Sequence, residues 1–276
     1  MLWGIPQPLL FNEIKHISPI EIISHRGLWS FLFLLIIILF FKKISNFFFI
    51  FKNLKLLVSL LITSLLLAFN WLGFVISISL ERLQDASLGY YISPIISIIL
   101  GYFFLKEEIN KLKFVSIILM ILAILLLIFN YGKVPYIAIF IGLSWAAYGL
   151  IRKKINIIAE VGLLFETFII TIFALPYLLN LLINNNGYFF YSTKLDTYML
   201  ILTGVFTAMP LFFFNTGVRY IPLGIAGSVF FLTPTFHFLT SVLILNEDID
   251  LTKILSFIII WIAVVIFIWD KLKKIT

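Results

Sequence analysis

From Asp85 to Leu105 the chain reads DASLGYYISPIISIILGYFFL, uncharged after its first residue and long enough to cross a bilayer once. One helical stripe of this run carries Ser87, Tyr90, Pro94, Ser97 and Gly101, at spacings of three and four that share a face. The pattern returns 140 residues later as AGSVFFLTPTFHFLTSVLIL, from Ala226 to Leu245. Ala86 falls on Ala226, Pro94 on Pro234, Leu105 on Leu245 and Glu107 on Glu247 without a gap. An apolar segment written twice, each time with a proline in mid-span, points to duplication of a membrane-embedded unit.

Composition fixes the solvent. Of the 276 residues, 62% are hydrophobic and 12% charged, about half the charge of a soluble domain. No soluble core of this size buries so much apolar surface, so the partner is a lipid bilayer. The net charge of +7 therefore does not argue for nucleic acid, because basic residues in membrane proteins mark cytoplasmic loops. The chain has no cysteine, which excludes disulfides and thiolate chemistry. His16, His25 and His237 are too dispersed for a metal motif. There is no Gly-rich phosphate loop and no nucleophile elbow. The sequence thus implies no enzyme, no cofactor and no metal.

With about 20 apolar residues per crossing, span 2 falls near Arg26–Phe41, span 3 near Leu56–Leu80 and span 4 on the opening stretch. Span 5 falls near Phe114–Asn130, span 6 near Val134–Ile151, span 7 near Val161–Ile183 and span 8 near Thr197–Thr216. Span 9 falls near Pro222–Leu245, with a helix expected throughout, and span 10 near Thr252–Trp269. Span 1, from Met1 to Glu13, offers roughly 18 Å of helix and is expected to lack its front half, through a late start or a truncation. The repeat carries Thr63, Ala68 and Phe74 onto Thr203, Ala208 and Phe214, and Asn70 onto Pro210. Farther back the offset drifts, pairing His25 with Glu166 and Trp3 with Trp145.

The expected fold is all-α and polytopic: ten spans in two five-helix halves, residues 1–131 and 132–276. Five is an odd number, so the second half is inverted relative to the first, an arrangement common in secondary transporters. Lys42, Lys43, Lys52, Lys55, Arg152, Lys153, Lys154, Lys271, Lys273 and Lys274 then fall on the cytoplasmic side. Both termini are placed inside, in a cytoplasmic membrane.

Polar and kinking residues inside spans are the candidates for chemistry. Pro94 and Pro234 each free a backbone carbonyl, and Ser87, Tyr90 and Ser97 share the face of the first. Tyr91 adds a second ring. Asn70, beside Trp71, needs a partner, either a ligand or a neighbouring helix. Pro210 is its counterpart, with Asn215 nearby. Trp145 and Tyr148 line a cavity or simply pack, and His237 contacts substrate or bonds between helices. His25, Arg26 and Glu166 are candidates for coupling or gating. Against that, His25 and Arg26 snorkel to headgroups if span 2 begins at them, and Glu166 pairs with a cytoplasmic cation. Arg152–Lys154 reads as a cytoplasmic anchor.

Several motifs together resemble a known family. HRGLWS at 25–30, NW at 70–71, DASLGYYISP at 85–94, SWAAYGLIRKK at 144–154, ET at 166–167 and LTPTFHFL at 232–239 are similar to the RarD branch of the EamA-type permeases, in the drug/metabolite transporter superfamily. The resemblance covers nearly the whole chain. It implies ten helices, inverted halves and movement of a small organic solute. The chain departs from the family pattern EASLGYFINP at Asp85, Tyr91 and Ser93. It has Phe230–Phe231 where a Gln-Tyr pair is usual, Asn12 for a lysine, and His237 where relatives often have glutamine. The resulting expectation is a secondary transporter working by alternating access on a metabolite, an amino-acid-like compound or a drug, with protons as a candidate coupling ion and a monomer or homodimer as the working unit. The alternatives are a non-transporting membrane scaffold and a lipid flippase.

Overall fold

Backbone groups that cross lipid must satisfy one another, and helices do this within a single segment. A computed structural model of the protein describes residues 3–80, 83–131, 136–223, 225–226, 230–244 and 250–272. The helices are α1 (Pro6–Glu13), α2 (Pro19–Phe40), α3 (Ile44–Ile50), α4 (Leu54–Ser79), α5 (Leu83–Leu105) and α6 (Lys111–Tyr131). They continue as α7 (Tyr136–Lys154), α8 (Ala159–Ile183), α9 (Tyr188–Tyr191), α10 (Lys194–Tyr220), α11 (Leu232–Leu243) and α12 (Leu251–Leu272). Among the described residues, six helices are long and apolar enough to cross a bilayer: α2, α4, α5, α6, α8 and α10. Phe40, Phe103, Phe104, Phe129, Phe173 and Phe213 stand exposed on the outside of the bundle, as lipid-facing rings do.

Local chemistry sets the ends. Pro19 opens α2 in the first turn, where its missing N–H is not needed. Asn53 caps α4 by accepting from the Leu56 amide at 3.1 Å. Thr193 and Asp196 form a capping box on α10. The Pro19 start corrects the expected boundary. It places His25 and Arg26 two turns inside α2, where both are buried, so neither snorkels. Two short helices, α3 and α9, occupy segments expected as loops.

Span 9 also differs from expectation. Leu223, Ile225 and Ala226 are helical, Phe230 and Phe231 form a turn, and α11 runs from Leu232 to Leu243. Pro234 is therefore in the first turn of α11. First-turn amides have no intrahelical acceptor, so this proline breaks nothing. Pro94 does lie inside α5. Leu245 and Glu247 lie outside the described residues.

The central bundle packs α2 against α8 and α10, α4 against α7 and α8, and α5 against α7, while α6 and α12 pair at one side. Small residues let the tightest pairs close. A Cβ on Gly89 would sit 2.8 Å from the Ala138 carbonyl oxygen, and one on Gly142 would sit 3.0 Å from that of Gly89, so α5 and α7 meet backbone to backbone. At Gly204 of α10 the obstacle is the backbone of Trp29 in α2, 2.5 Å from an added Cβ. A Cβ on Gly217 of α10 meets nothing within 4 Å. Gly204→Ala should therefore lower stability in detergent by about 1–3 kcal/mol through overpacking, whereas Gly217→Ala should be neutral or gain up to about 1 kcal/mol from helix propensity. Thermal denaturation of the two variants side by side checks this; equal stability would contradict the α2–α10 packing.

Candidate functional site

Where α1, α2, α4, α5, α7 and α11 converge, a narrow cavity is lined by Trp3, Gln7, Arg26, Asn70, Trp71, Tyr90, Trp145, Phe230, Thr233 and His237. The space open to the centre of a water molecule is about 10 Å³, room for roughly one ordered water, so this conformation is closed. Aromatic rings build the walls. Trp145 meets Trp3 edge-on at 5.3 Å and lies 4.9 Å from Phe230, while Tyr90 lies 5.7 Å from both Phe230 and His237.

Arg26 is the cationic member, 3% exposed. Its Nε donates to Thr207 Oγ1 at 2.7 Å and its guanidinium lies 4.3 Å over the Trp71 ring. Its Nη1 is buried without a hydrogen-bond partner. Among the described residues no carboxylate lies within ion-pair distance of it. Asn70 donates from Nδ2 to the Ile141 carbonyl and to Ser144 Oγ, each at 3.0 Å, and so ties α4 to α7. His237 Nε2 lies 2.8 Å from the Trp3 carbonyl. A carbonyl only accepts, so Nε2 carries hydrogen, and Nδ1 is left without a partner.

A second polar cluster lies toward the end of the bundle that carries Lys43 and Arg152. Glu166 in α8, 0% exposed, accepts from Thr63 Oγ1 of α4 at 2.6 Å and from the Tyr148 hydroxyl of α7 at 3.1 Å. Arg152 Nη1 lies 3.6 Å from Glu166 Oε1. Arg152 also donates from Nε to Asn215 Oδ1 at 3.1 Å and from Nη2 to the Ala159 carbonyl at 3.2 Å. Asn215 Nδ2 in turn donates to the Tyr148 oxygen at 2.6 Å. The same face is laced by Lys43 to Glu160 at 2.6 Å, Arg219 to the Ile157 carbonyl at 3.0 Å, Lys153 to the Ile221 carbonyl, and the Leu223 amide to Glu107 at 2.6 Å. Thr63 precedes Asn70 by two turns of α4, about 10 Å of rise, so the two clusters are stacked along the bundle. Tyr148 joins them, since its ring stacks on Trp145 at 5.4 Å.

The structure sorts the expected site residues into groups. Asn70, Trp71, Tyr90, Trp145, His237 and Arg26 come together around the cavity. Tyr148 and Glu166 instead belong to the ion-pair cluster. His25 lies apart from both, stacked at 4.7 Å on Phe189. Tyr91, Ser87, Pro94, Ser97, Pro234 and Pro210 are also absent from the cavity lining. Tyr91 follows Tyr90 by one residue and faces the opposite way, packing on Phe257 at 5.0 Å and Phe231 at 6.2 Å in the α5–α6–α12 core. Ser87 returns its hydroxyl to the Leu83 carbonyl of its own helix. Pro94, Ser97 and Pro234 are buried outside that lining.

Pro210 is also away from the cavity. It lines a lateral groove of about 410 Å³ between α10 and α11 that shares Trp3, Phe230 and Thr233 with the cavity. Arg152 corrects the sequence reading most sharply. At 3% exposure it is no anchor to headgroups but the buried partner of Glu166. Gln7, Trp3, Phe230 and Thr233 were missed as lining residues. The Trp3–Trp145 repeat pairing points to Trp3, and the departure from the family's Gln-Tyr pair at Phe230–Phe231 points to Phe230. Among the described residues no group of three His, Cys, Asp or Glu is placed to hold a metal.

The EamA-like transporter family profile matches this chain twice, over residues 1–129 and 134–269. An uncharacterized transporter of Vibrio cholerae is 34% identical over 272 residues, covering 99% of this chain and 90% of its own length. The uncharacterized transporter YojE of Bacillus subtilis is 32% identical over 277 residues, covering 99% and 92%. The protein RarD of Escherichia coli is 30% identical over 271 residues, covering 98% and 92%. A crystal structure superposes with a TM-score of 0.67 at 12% identity, covering 96% of this chain and 95% of the other; it supports the fold alone.

The ion-pair cluster makes a prediction about stability. Removing one partner of a buried pair strands the other charge at about 3–5 kcal/mol, whereas replacing both with apolar groups is often close to neutral. Arg152→Met and Glu166→Met should each melt well below the parent, and the double variant should recover much of the loss. A double variant that melts at the sum of the single losses would show that the pair is not coupled.

Proposed function

The chain belongs to the EamA-like transporter family, and from that premise we propose that it is a secondary transporter moving a small organic solute by alternating access. The observation that carries the reading is the cavity: buried, unpartnered polar atoms of Gln7, Arg26 and His237 meet between aromatic walls drawn from both parts of the chain. Buried polar atoms without partners are costly, and a bound solute supplies the partners. The relatives named as transporters agree with this assignment.

The inverted repeat supplies the motion. Two profile matches in one chain support a duplicated unit. The helix packing agrees in part, because exchanging α1 with α7, α2 with α8, α4 with α10, α5 with α11 and α6 with α12 carries most packed pairs onto other packed pairs. The α2–α8 and α6–α12 pairs map onto themselves, α4–α8 maps onto α10–α2, and α4–α7 maps onto α10–α1. Rocking one half against the other would open the cavity to each side in turn. The basic end of the bundle is assigned to the cytoplasm of a cytoplasmic membrane, with the C-terminus inside. The Glu166–Arg152 cluster lies at that end as the closed inner gate, and a proton delivered to Glu166 would release Arg152.

The second reading, a lipid flippase, draws on the lateral groove that adjoins the cavity at Trp3, Phe230 and Thr233. Fluorescent-lipid translocation in the same vesicles separates the two. A scaffold reading leaves the unpartnered cavity atoms without a purpose.

A ligand-stabilisation screen followed by proteoliposome flux of the stabilising solute tests the assignment. Asn70→Ala and Tyr90→Phe should each reduce flux about tenfold or more, the loss of one or two hydrogen bonds, at unchanged amounts in the membrane. Parental flux in both variants would remove the cavity as the substrate site. Glu166→Gln should retain binding but lose the dependence of flux on an imposed pH gradient; full retention of that dependence would eliminate Glu166 as the proton carrier.

A further inference from the structure

We propose that the cavity selects an organic carboxylate: a small anion whose carboxyl group docks on Arg26 and Gln7 and whose apolar body lies among Trp71, Trp145, Tyr90 and Phe230. The inference rests on the transporter reading and narrows it to a substrate class. Arg26 carries a guanidinium, a full positive charge at neutral pH, inside the bundle at 3% exposure. Its compensation is incomplete. One N–H is used by Thr207, the Trp71 and Phe11 faces take part of the field, and Nη1 has no hydrogen-bond partner. No carboxylate pairs with it among the described residues, although the same bundle gives its other buried guanidinium, Arg152, an acidic partner in Glu166.

A cation held this way leaves the planar fork of its terminal nitrogens for a ligand, and that fork matches a carboxylate bidentately. Gln7 adds a second orphaned donor, Nε2, buried on the same lining. Two donor groups and one positive charge suit a monoanion better than a phosphate dianion. They give nothing to an amine, which would be repelled by Arg26. The rings around them bury an apolar or aromatic body.

Purified protein is titrated with phenylacetate, phenylacetamide, phenethylamine and phenyl phosphate, and binding is read as a shift in melting temperature. Phenylacetate should stabilise, and at equal concentration the amide, the amine and the phosphate ester should not. Arg26→Gln should abolish the shift and Arg26→Lys should retain a weaker one. Gln7→Leu, which removes an orphaned donor and so should fold, should weaken phenylacetate binding about tenfold. Equal stabilisation by the amide or the amine, stabilisation by phenyl phosphate in place of phenylacetate, or unchanged affinity in Gln7→Leu would overturn the assignment. The two readings fail separately. Flux of an uncharged or cationic solute that Asn70→Ala blocks, with no phenylacetate binding, would sink the carboxylate site and leave a transporter. Phenylacetate binding without flux of any bound acid would keep the site and sink transport.

Discussion

Among the described residues two guanidinium groups lie inside this bundle, and what surrounds each of them organises much of the rest. In a medium that cannot hydrate a charge, an arginine needs an anion, a set of acceptors, or both. Arg152 has both: Glu166, the Asn215 side chain and the Ala159 carbonyl, drawn from three other points in the fold. Thr63 and Tyr148 complete the shell around Glu166, so that α4, α7, α8 and α10 are tied at one level. Arg26 has one hydroxyl and the faces of Trp71 and Phe11. Each guanidinium leaves its Nη1 without a hydrogen bond, so the contrast lies in the anion: Arg152 has a carboxylate beside it and Arg26, among the described residues, has none.

Helix α7 links the two. Trp145, Tyr148 and Arg152 follow at spacings of three and four and therefore share one face. The first lines the cavity, the second bonds Glu166 and the third pairs with it. One turn before Trp145, α7 meets α5 backbone to backbone at Gly142 and Gly89. A helix held this closely moves as a body, so a change at the Trp145 end is felt at the Arg152 end. In the proposed transport cycle this one rigid element would couple the cavity to the ion-pair cluster, because both bias its position.

Much of the architecture was legible because lipid simplifies the code. Apolar runs mark the six helices long enough to cross a bilayer, and the repeat, once its offset has drifted to 142, pairs Trp3 with Trp145, whose rings meet. The failures have particular causes. Arg152 opens the run RKK at the end of a span, the pattern of a headgroup anchor, and nothing local reveals that Glu166 lies across from it. His25 and Arg26 were set at a helix start because their polarity masked the true start at Pro19. Pro234 shares its register with Pro94 but not its role, because the chain turns at Phe230–Phe231 before α11 begins. The stripe argument put Tyr90 on the right face, but the one-residue step to Tyr91 carries that ring into the neighbouring core. Gln7 was invisible for a simpler reason: a lone glutamine between two prolines carries no periodic signal.

The chain has no cysteine, so a single introduced thiol reports on its own surroundings without competition. Thr233→Cys places one in the cavity lining. Its reaction with a membrane-impermeant thiol reagent, applied in turn to each face of oriented proteoliposomes, tests alternating exposure directly. The account predicts labelling from both faces, with a bound solute changing the ratio between them. Labelling from one face alone under every condition, with or without solute, would contradict it.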